Sequence, residues 1–525
     1  MNTPKVILLT LTASLSISKS YGSTETESPK EKKGPNLLYI FPDQYRMHAL
    51  SIWSNPDYKD AIATLGDPVH TPNLDKLAKQ GVLFTQVCST FPVSSPHRGM
   101  LMSGMYAQTN GLDINCRLGR KQELNHEIEC FTDVLAKANY ETAYVGKTHW
   151  HKTEAVFDKD GNYVGSTEEP GGHSAFEFDT YIPEGKSRHS NKYWFQQVRD
   201  NHFNALSYSN RPELVDGKND GEACRSYQFT SKREADVVIK YLMNKNNERN
   251  PNKPFSIIWS LNPPHPPYNN LSDCDTTIYN RYYRDMPINE LLVRKNVDEN
   301  AKSANPSDES KKRIMNARIY FSLITAIDRE IGRVLEALEE TGEADNTIVV
   351  FTSDHGEMLD SHQLMGKSMI YDESFLVPFM IRYPQKLKHQ LNDLMFGSVD
   401  IMPTMLGLMG LDKMIPSSVM GRDYSDGILT GKYQKNPKPV SAFYFRPDAK
   451  GVRTNQYTYE VTRKGTYMLF DNLRDPYQMK SISLESISEK SASELKTALG
   501  QWLKEAHDKW YDQKINEGLI VYPKK

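Results

Sequence analysis

The chain is poor in cysteine, and what it has is scattered. Of 525 residues five are Cys (Cys88, Cys116, Cys130, Cys224 and Cys274), with no CxxC pair among them. That spacing excludes a disulfide-dense scaffold and carries no metal-site pattern, and the odd number leaves at least one thiol unpaired. An excess of one charge is missing too: 64 Lys and Arg stand against 66 Asp and Glu, a net charge of −2. Nothing in that balance would draw nucleic acid, so no nucleic-acid partner is expected. No apolar run reaches the roughly 20 residues that cross a bilayer, which leaves no membrane-spanning segment to expect. Internal repeats and low-complexity tracts are also lacking. What is present is a globular composition, 38 % hydrophobic and 10 % aromatic, rich enough for a large core and too apolar for wholesale disorder. At about 150 residues per domain the length corresponds to roughly three to four units, or to one large α/β domain with a smaller one.

The N-terminus reads as an address. Lys5 gives a basic start, Val6 to Ile17 a short apolar run, and Ser18, Ser20, Gly22 and Ser23 the small and polar residues that follow. This is the pattern of a cleaved signal peptide over residues 1–22, with a buried N-terminal strand as the other reading. No Cys lies near the cleavage region, so a lipid anchor is not indicated, and the mature protein is expected in a periplasm or outside the cell.

After a polar leader to Lys33, the run Asn36-Leu-Leu-Tyr-Ile-Phe41 reads as a buried strand between Gly34-Pro35 and Pro42. Continuous apolar strands of this kind belong to parallel sheets. Further strand-like runs are Thr142 to Val145, Phe255 to Ser260, Thr347 to Thr352 and Phe379 to Tyr383. Between them lie helical patterns. One opens at Thr71-Pro72 with Gly81 as its stop, and a long one spans Arg313 to Glu340, with Tyr320, Leu323, Ile324, Ile327, Ile331, Val334, Leu335 and Leu338 on one face. Alternation of this kind predicts a doubly wound α/β sheet. Two polar stretches, Asn244 to Lys253 and Asp298 to Lys312, read as exposed loops. From about Ala442 the texture turns Tyr-rich and alternating, then amphipathic from Ala492 to Trp510, which predicts a small antiparallel sheet with a closing helix.

In open α/β sheets ligands bind beyond the carboxyl ends of the strands. Here those ends carry Asp43-Gln44, Lys147 with His149, His265, and Asp354-His355. Two strand ends that each offer a carboxylate beside another donor suit a mostly oxygen-ligated divalent cation, Ca²⁺ or Mg²⁺ rather than a thiolate-bound metal. Lysine and histidine at the other ends would face an anion beside that cation. Any one post-strand Asp is more often a cap or a surface group; four such ends together point to a site.

One further segment is specific. Ser94-Ser95-Pro96-His97-Arg98 resembles the signature of the formylglycine-dependent sulfatases, in which a Cys or Ser, followed two residues later by Pro and four later by Arg, is oxidised to an aldehyde. Segments 35–44, 71–84, 144–149, 264–267, 345–358, 367–384, 399–410 and 471–479 resemble the same family, so the likeness spans nearly the whole chain beyond residue 34. It implies an alkaline-phosphatase-like fold: a large mixed, mostly parallel sheet sandwiched by helices over residues 23–435, with a smaller C-terminal antiparallel-sheet-plus-helix subdomain over 436–525.

The resemblance also implies roles. Ser94 would be converted to formylglycine and, as its hydrate, act as nucleophile. Asp43, Gln44, Asp354 and His355, with Ser94, match the ligands of a single Ca²⁺. Arg98 matches the residue that steadies the hydrate, Lys147 and His149 the pair that contacts sulfate and nucleophile, His265 the histidine at the leaving-group oxygen, and Lys367 a second sulfate-binding lysine. The chemistry is coherent: a cation and two lysines can offset the charge that develops on the sulfuryl oxygens, and a histidine can protonate the departing oxygen. An unmodified serine would stall as a stable sulfate ester, whereas an aldehyde hydrate has a second hydroxyl whose deprotonation expels sulfate.

Three positions depart from the common pattern: His97 where a small residue is usual, Thr148 where an aromatic is usual, and Gln44 where many relatives carry a second Asp. A Ser-type member implies maturation by an anaerobic, radical sulfatase-maturating enzyme, hence a bacterial source. A sulfated carbohydrate is the expected substrate. Two other readings stay open: a phosphate or phosphonate ester hydrolase of the same superfamily, and a sulfated-glycan-binding protein without activity. Tyr45, Arg46, Trp150, His151, Tyr193, Trp194 and Tyr268 lie close to the candidate residues in sequence and read first as packing or surface groups; Asp328, on the long apolar helix, reads as structural.

The modification is directly measurable. Expressed with such a maturase, the protein should yield a peptide containing Ser94 that is two hydrogens lighter than its sequence by mass spectrometry; an unshifted peptide throughout would refute the assignment.

Overall fold

In the computed structural model, Met1 and residues 34–153, 162, 179–198, 201–303, 305–432 and 441–523 are described. The expected signal peptide at 1–22 and the expected boundary at 435/436 lie outside the described residues.

Ten strands build the main sheet: β1 Asn36–Ile40, β2 Val82–Phe84, β3 Glu141–Gly146, β4 Tyr193–Gln197, β5 Leu206–Ser209, β6 Cys224–Arg225, β7 Phe255–Ser260, β8 Thr347–Phe351, β9 Phe379–Arg382 and β10 Gln390–Asn392. Their order is β10-β2-β9-β8-β1-β7-β3-β4-β5-β6. The central run β8-β1-β7-β3-β4 is parallel throughout. The apolar runs are continuous because both faces are covered: in β1, Leu38 and Ile40 enter one core cluster, while Leu37, Tyr39 and Phe41 enter the other.

One cluster is closed by two helices, Thr230–Met243 and Asp308–Glu340, and the other by Phe131–Lys137 and Ile401–Leu408. The long helix starts earlier than its apolar pattern. Ser307 caps it by accepting from the Ser310 N–H, and Asp308 and Glu309 fill the first turn, so residues 308–312 are helix and not loop. Asp328 on this helix accepts from the backbone N–H of Leu74 (2.8 Å) and Asn73 (3.2 Å), which makes it the cap of the helix Pro72–Lys79. Burial pushes its carboxyl up to about 7.

The C-terminal antiparallel sheet has strands β11 Ala442–Arg446, β12 Ala449–Arg453, β13 Tyr457–Thr462 and β14 Tyr467–Asp471. Alternation marked three of them; β12, which carries Gly451 and two basic residues, does not show it. The closing amphipathic stretch is two helices, Glu489–Glu505 and Lys509–Gln513, broken where Asp508 caps the second. Phe443, Phe445 and Leu499 share a core cluster with Phe91 and Met100, so the small sheet packs against the helix that starts at Ser94. All five cysteines are buried and form no disulfide. Among the described residues no helix is long and apolar enough to cross a membrane.

One strand of the main sheet ran against pattern. β9 lies antiparallel to both β8 and β2, because an apolar run carries no sign of direction. Gly81 is needed for more than ending a helix: a Cβ there would lie 2.1 Å from the Ile381 carbonyl oxygen on β9. Gly81→Ala should therefore destabilise the protein by about 1–3 kcal/mol, by analogy with overpacked cores; a urea midpoint equal to wild type would contradict that close approach.

Candidate active site

The four chemistry-bearing strands are neighbours, β8-β1-β7-β3, and all point the same way. Their carboxyl ends therefore meet at one edge. The Asp43 N–H continues the pairing to the Leu261 carbonyl (2.9 Å), and the Ser353 hydroxyl lies 2.9 Å from both the Tyr45 N–H and the Pro42 carbonyl, tying the β1 and β8 ends together. Gln44 sits at φ +66°, a conformation that costs a non-glycine residue energy. The Tyr320 hydroxyl, on the long helix, holds it there by donating to the Gln44 carbonyl (2.7 Å) and accepting from the Arg46 N–H (3.1 Å).

Ser94 is the first residue of the helix Ser94–Ser103, whose exposed N–H groups favour negative charge at that end. Its Oγ lies 3.2 Å from His355 Nε2, 3.4 Å from Asp43 Oδ1 and 3.4 Å from Lys367 Nζ. Arg98, one turn later on the same face, donates to Asp43 Oδ2 (3.1 Å), Asp354 Oδ2 (3.5 Å), the Lys147 carbonyl (3.0 Å) and the Ser260 hydroxyl. Its guanidinium stands 4.7 Å from the centre of the Phe41 ring. Lys147 Nζ donates to Asp43 Oδ2 at 2.7 Å.

Asp43, Asp354 and His355 are fully buried, with ligand atoms close enough together to hold one cation. Burial alone would raise the Asp43 carboxyl, but Lys147, His265, Lys367 and His355 hold it well below the usual carboxylate range. Burial and the Asp43 charge push Asp354 up to about 7. Two buried carboxylates side by side resist ionising together, and a divalent cation between them removes that conflict. The donors present, two carboxylates, the Gln44 amide, the Ser94 oxygen and one imidazole, fit Ca²⁺ or Mg²⁺. Burial lowers Lys147 to about 8 even with Asp43 beside it.

His149, at φ +52°, has Nε2 3.2 Å from the Cys116 carbonyl. That carbonyl can only accept, so Nε2 carries the hydrogen and Nδ1 is the ring's acceptor. Burial, then Lys147 and Arg98, keep the ring neutral, well below its ordinary value. His265, 7 % exposed, reaches the group through its electrostatic influence on Asp43. Lys367 Nζ donates to Gln44 Oε1 (2.9 Å) as well as to Ser94. All ten residues picked from the sequence thus converge on one edge.

The two unusual neighbours are accommodated structurally. His97 is buried with Nδ1 against the Ser89 (3.1 Å) and Ser398 (2.9 Å) hydroxyls, and burial drops it to about 3, so it stays neutral. The Thr148 hydroxyl accepts from Gln196 Nε2 (2.9 Å). Tyr45, Arg46, Trp150, Tyr193 and Trp194 are core, Arg46 paired with Asp67 at 3.2 Å. Tyr268 is different. It lines, with Asn201, Pro266, Pro267, Asn269, Asn316 and Met365, a cavity of about 590 Å³ beside His265.

One residue was missed. Glu357, fully buried, accepts from Gln44 Nε2, from the Tyr268 hydroxyl (3.0 Å) and from the N–H groups of Leu359 (2.9 Å) and Gly366 (2.6 Å). It joins a candidate ligand, the cavity wall and the loop that carries Lys367. Its only signal in the sequence was a second carboxylate three residues after Asp354.

A mostly parallel sheet whose adjacent strand ends bury two carboxylates beside a helix-terminal serine and a set of cations suits the binding of an anionic ester next to a metal ion. Comparison with known proteins sharpens the class. The family model described as Sulfatase matches residues 35–411, and one described as N-sulphoglucosamine sulphohydrolase, C-terminal, matches residues 360–506. The chain is 36 % identical over 518 residues to an endo-4-O-sulfatase of Bacteroides thetaiotaomicron, covering 94 % of this chain and 96 % of that protein. It is 30 % identical over 499 residues to an ulvan-active sulfatase of Formosa agariphila, covering 92 % and 84 %. A solved structure from work on the metabolism of multiple glycosaminoglycans by B. thetaiotaomicron superposes with a TM-score of 0.84 at 34 % identity, over 93 % of this chain and all of that one. The chain belongs to the sulfatase family, and is a sulfuric ester hydrolase.

The Glu357 hub gives a test. Glu357→Gln places an amide N–H₂ against donors it cannot bond, at a cost of about 1–3 kcal/mol in stability. It should lower sulfatase turnover about 10–100-fold, the range seen when groups that orient metal ligands are lost; turnover within twofold of wild type would show that Gln44 and the Lys367 loop do not depend on it.

Proposed function

We propose that the protein is an exported, formylglycine-dependent carbohydrate sulfatase that removes 4-O-sulfate groups within a glycosaminoglycan chain. The reading of the substrate rests on one observation above the others: the 36 % identity with an endo-4-O-sulfatase extends over nearly the full length of both proteins. The cavity of about 590 Å³ beside His265, walled by Tyr268, Asn269 and Asn316, is the space offered to the sugar. The reading assigns 1–22 to a cleaved export signal, 23–435 to the catalytic domain and 436–525 to the C-terminal subdomain. It assigns oxidation of the Ser94 side chain, by loss of two hydrogens, to an anaerobic maturase.

Asp43, Gln44, Asp354, His355 and the residue at 94 would hold one Ca²⁺, which supplies positive charge to the sulfuryl oxygens when bound. The rest of the work falls to the chain's own groups. Lys147 and Lys367 receive the remaining sulfuryl charge, and Arg98, anchored on both carboxylates, keeps the oxygens at position 94 in line. His265 gives a proton to the departing sugar oxygen. His149, fixed by the Cys116 carbonyl with Nδ1 as its acceptor, takes the proton that must leave position 94 for sulfate to be expelled.

Sulfate release from a panel of glycosaminoglycan oligosaccharides, with protein matured in an anaerobic host, tests this reading. Release should occur on 4-O-sulfated chains and vanish in Ser94→Ala. Release confined to other sulfate positions would overturn the substrate assignment, and hydrolysis confined to phosphate or phosphonate esters would overturn the reaction.

A further inference from the structure

A second set of ligand-type side chains gathers where the loop after β3 meets the segment before the helix Phe131–Lys137. The Leu124 N–H bonds to the Trp150 carbonyl at 2.8 Å, and this contact brings Glu123 and His126 against His151. Three atoms converge there. His126 Nε2 and His151 Nδ1 are 3.0 Å apart, His151 Nδ1 and Glu123 Oε2 3.1 Å, and His126 Nε2 and Glu123 Oε2 3.5 Å. Two ligands of a tetrahedral zinc ion, each bonded at about 2.0–2.1 Å, lie about 3.3–3.4 Å apart. The observed triangle is one face of such a tetrahedron, already assembled.

The outer groups orient these ligands. His126 Nδ1 lies 3.2 Å from His189 Nε2, and His189 Nδ1 lies 3.2 Å from Asp133 Oδ2. A carboxylate can only accept, so with neutral rings His189 carries its hydrogen on Nδ1. Its Nε2 then accepts from His126 Nδ1–H, which turns the His126 Nε2 lone pair toward Glu123 and His151. Asp133 is itself fixed by the Cys130 N–H (2.9 Å) and the Ser190 hydroxyl (2.6 Å). A carboxylate-to-imidazole relay behind a ligating histidine is the arrangement that sets ligand tautomer in metal sites. Cys130, 4.0 Å from His189 Nε2, stands behind the relay and outside the triangle.

We propose that Glu123, His126 and His151 bind a transition-metal ion of the Zn²⁺ type, distinct from the oxygen-rich site at Asp43 and Asp354. Two imidazoles and one carboxylate suit zinc, and the side chains are 16–29 % exposed, which leaves the fourth position open to water. The ion would act as a staple. His151 is two residues beyond His149, which sits at φ +52°, and the Glu123–His126 segment follows Cys116, whose carbonyl fixes the His149 ring. Both supports of His149 therefore end at one ion.

The test uses the full chain, stripped of metals, returned to saturating Ca²⁺ and then titrated with Zn²⁺ alone or Co²⁺ alone. Wild type should take up one equivalent of zinc and give, with cobalt, the intense visible absorption of four-coordinate Co²⁺. The double variant His126→Ala/His151→Ala should lose both signals. Asp133→Asn, whose amide oxygen can still accept from both the Cys130 N–H and His189 Nδ1–H, removes only the negative charge behind the relay, should fold as wild type does and should bind zinc up to about 10-fold more weakly. Equal zinc uptake and equal cobalt absorption in wild type and the double variant would overturn the proposal. So would an absence of zinc binding by wild type.

Discussion

Two carboxylates, Asp43 and Asp354, buried without solvent at the ends of adjacent strands, set the constraint that the rest of the structure meets. Stranding one ionised carboxylate in such a place costs several kcal/mol unless opposite charge is fixed beside it. Arg98 answers from one helix, Lys147 from the next strand but one, and Lys367 from the loop between β8 and β9. These cations come from distant parts of the sequence, so the site exists only when the sheet is in register. Activity and correct folding are thereby joined.

Positive-φ backbone occurs at the same edge, as it does elsewhere in the chain. Gln44, His149 and Ser368, the last beside Lys367, all have positive φ, and each is held by a contact from elsewhere: Tyr320 on Gln44, the Cys116 carbonyl on His149, and the Pro92 carbonyl, which accepts from the Ser368 hydroxyl (3.4 Å). Conformations of this kind persist where surrounding structure over-determines them. Here they lie beside the candidate site, at Gln44, at His149 and next to Lys367. The small C-terminal sheet takes part by packing on the helix that carries Ser94, with Met100 in its core, so a subdomain without a candidate catalytic group still helps to place Ser94.

Much of this was legible in the residues. Apolar runs such as Leu37 to Phe41 announce strands buried on both faces, and their last residues announced the site, because in a parallel sheet those ends must lie together. Direction was not legible, since β9 reads like a parallel strand and runs the other way. Helix starts were half legible: the apolar stripe begins near Tyr320, whereas the first turns, set by Ser307, Asp308 and Glu309, are polar and look like loop. The roles of Glu357 and of the Glu123–His126–His151 group were not legible for a different reason. Their partners are brought together by tertiary contacts, Leu124 on Trp150 and Gln44 on Glu357, that no local spacing encodes.

On the proposed reading the buried carboxylate pair is built around a divalent cation that the reaction requires. Calorimetric titration of metal-stripped, matured protein with Ca²⁺, with sulfate release followed on the same samples, tests it most directly. One equivalent should bind, activity should rise in proportion to occupancy, and Asp354→Asn should lose both. Full sulfate release from protein that holds no divalent metal would contradict it.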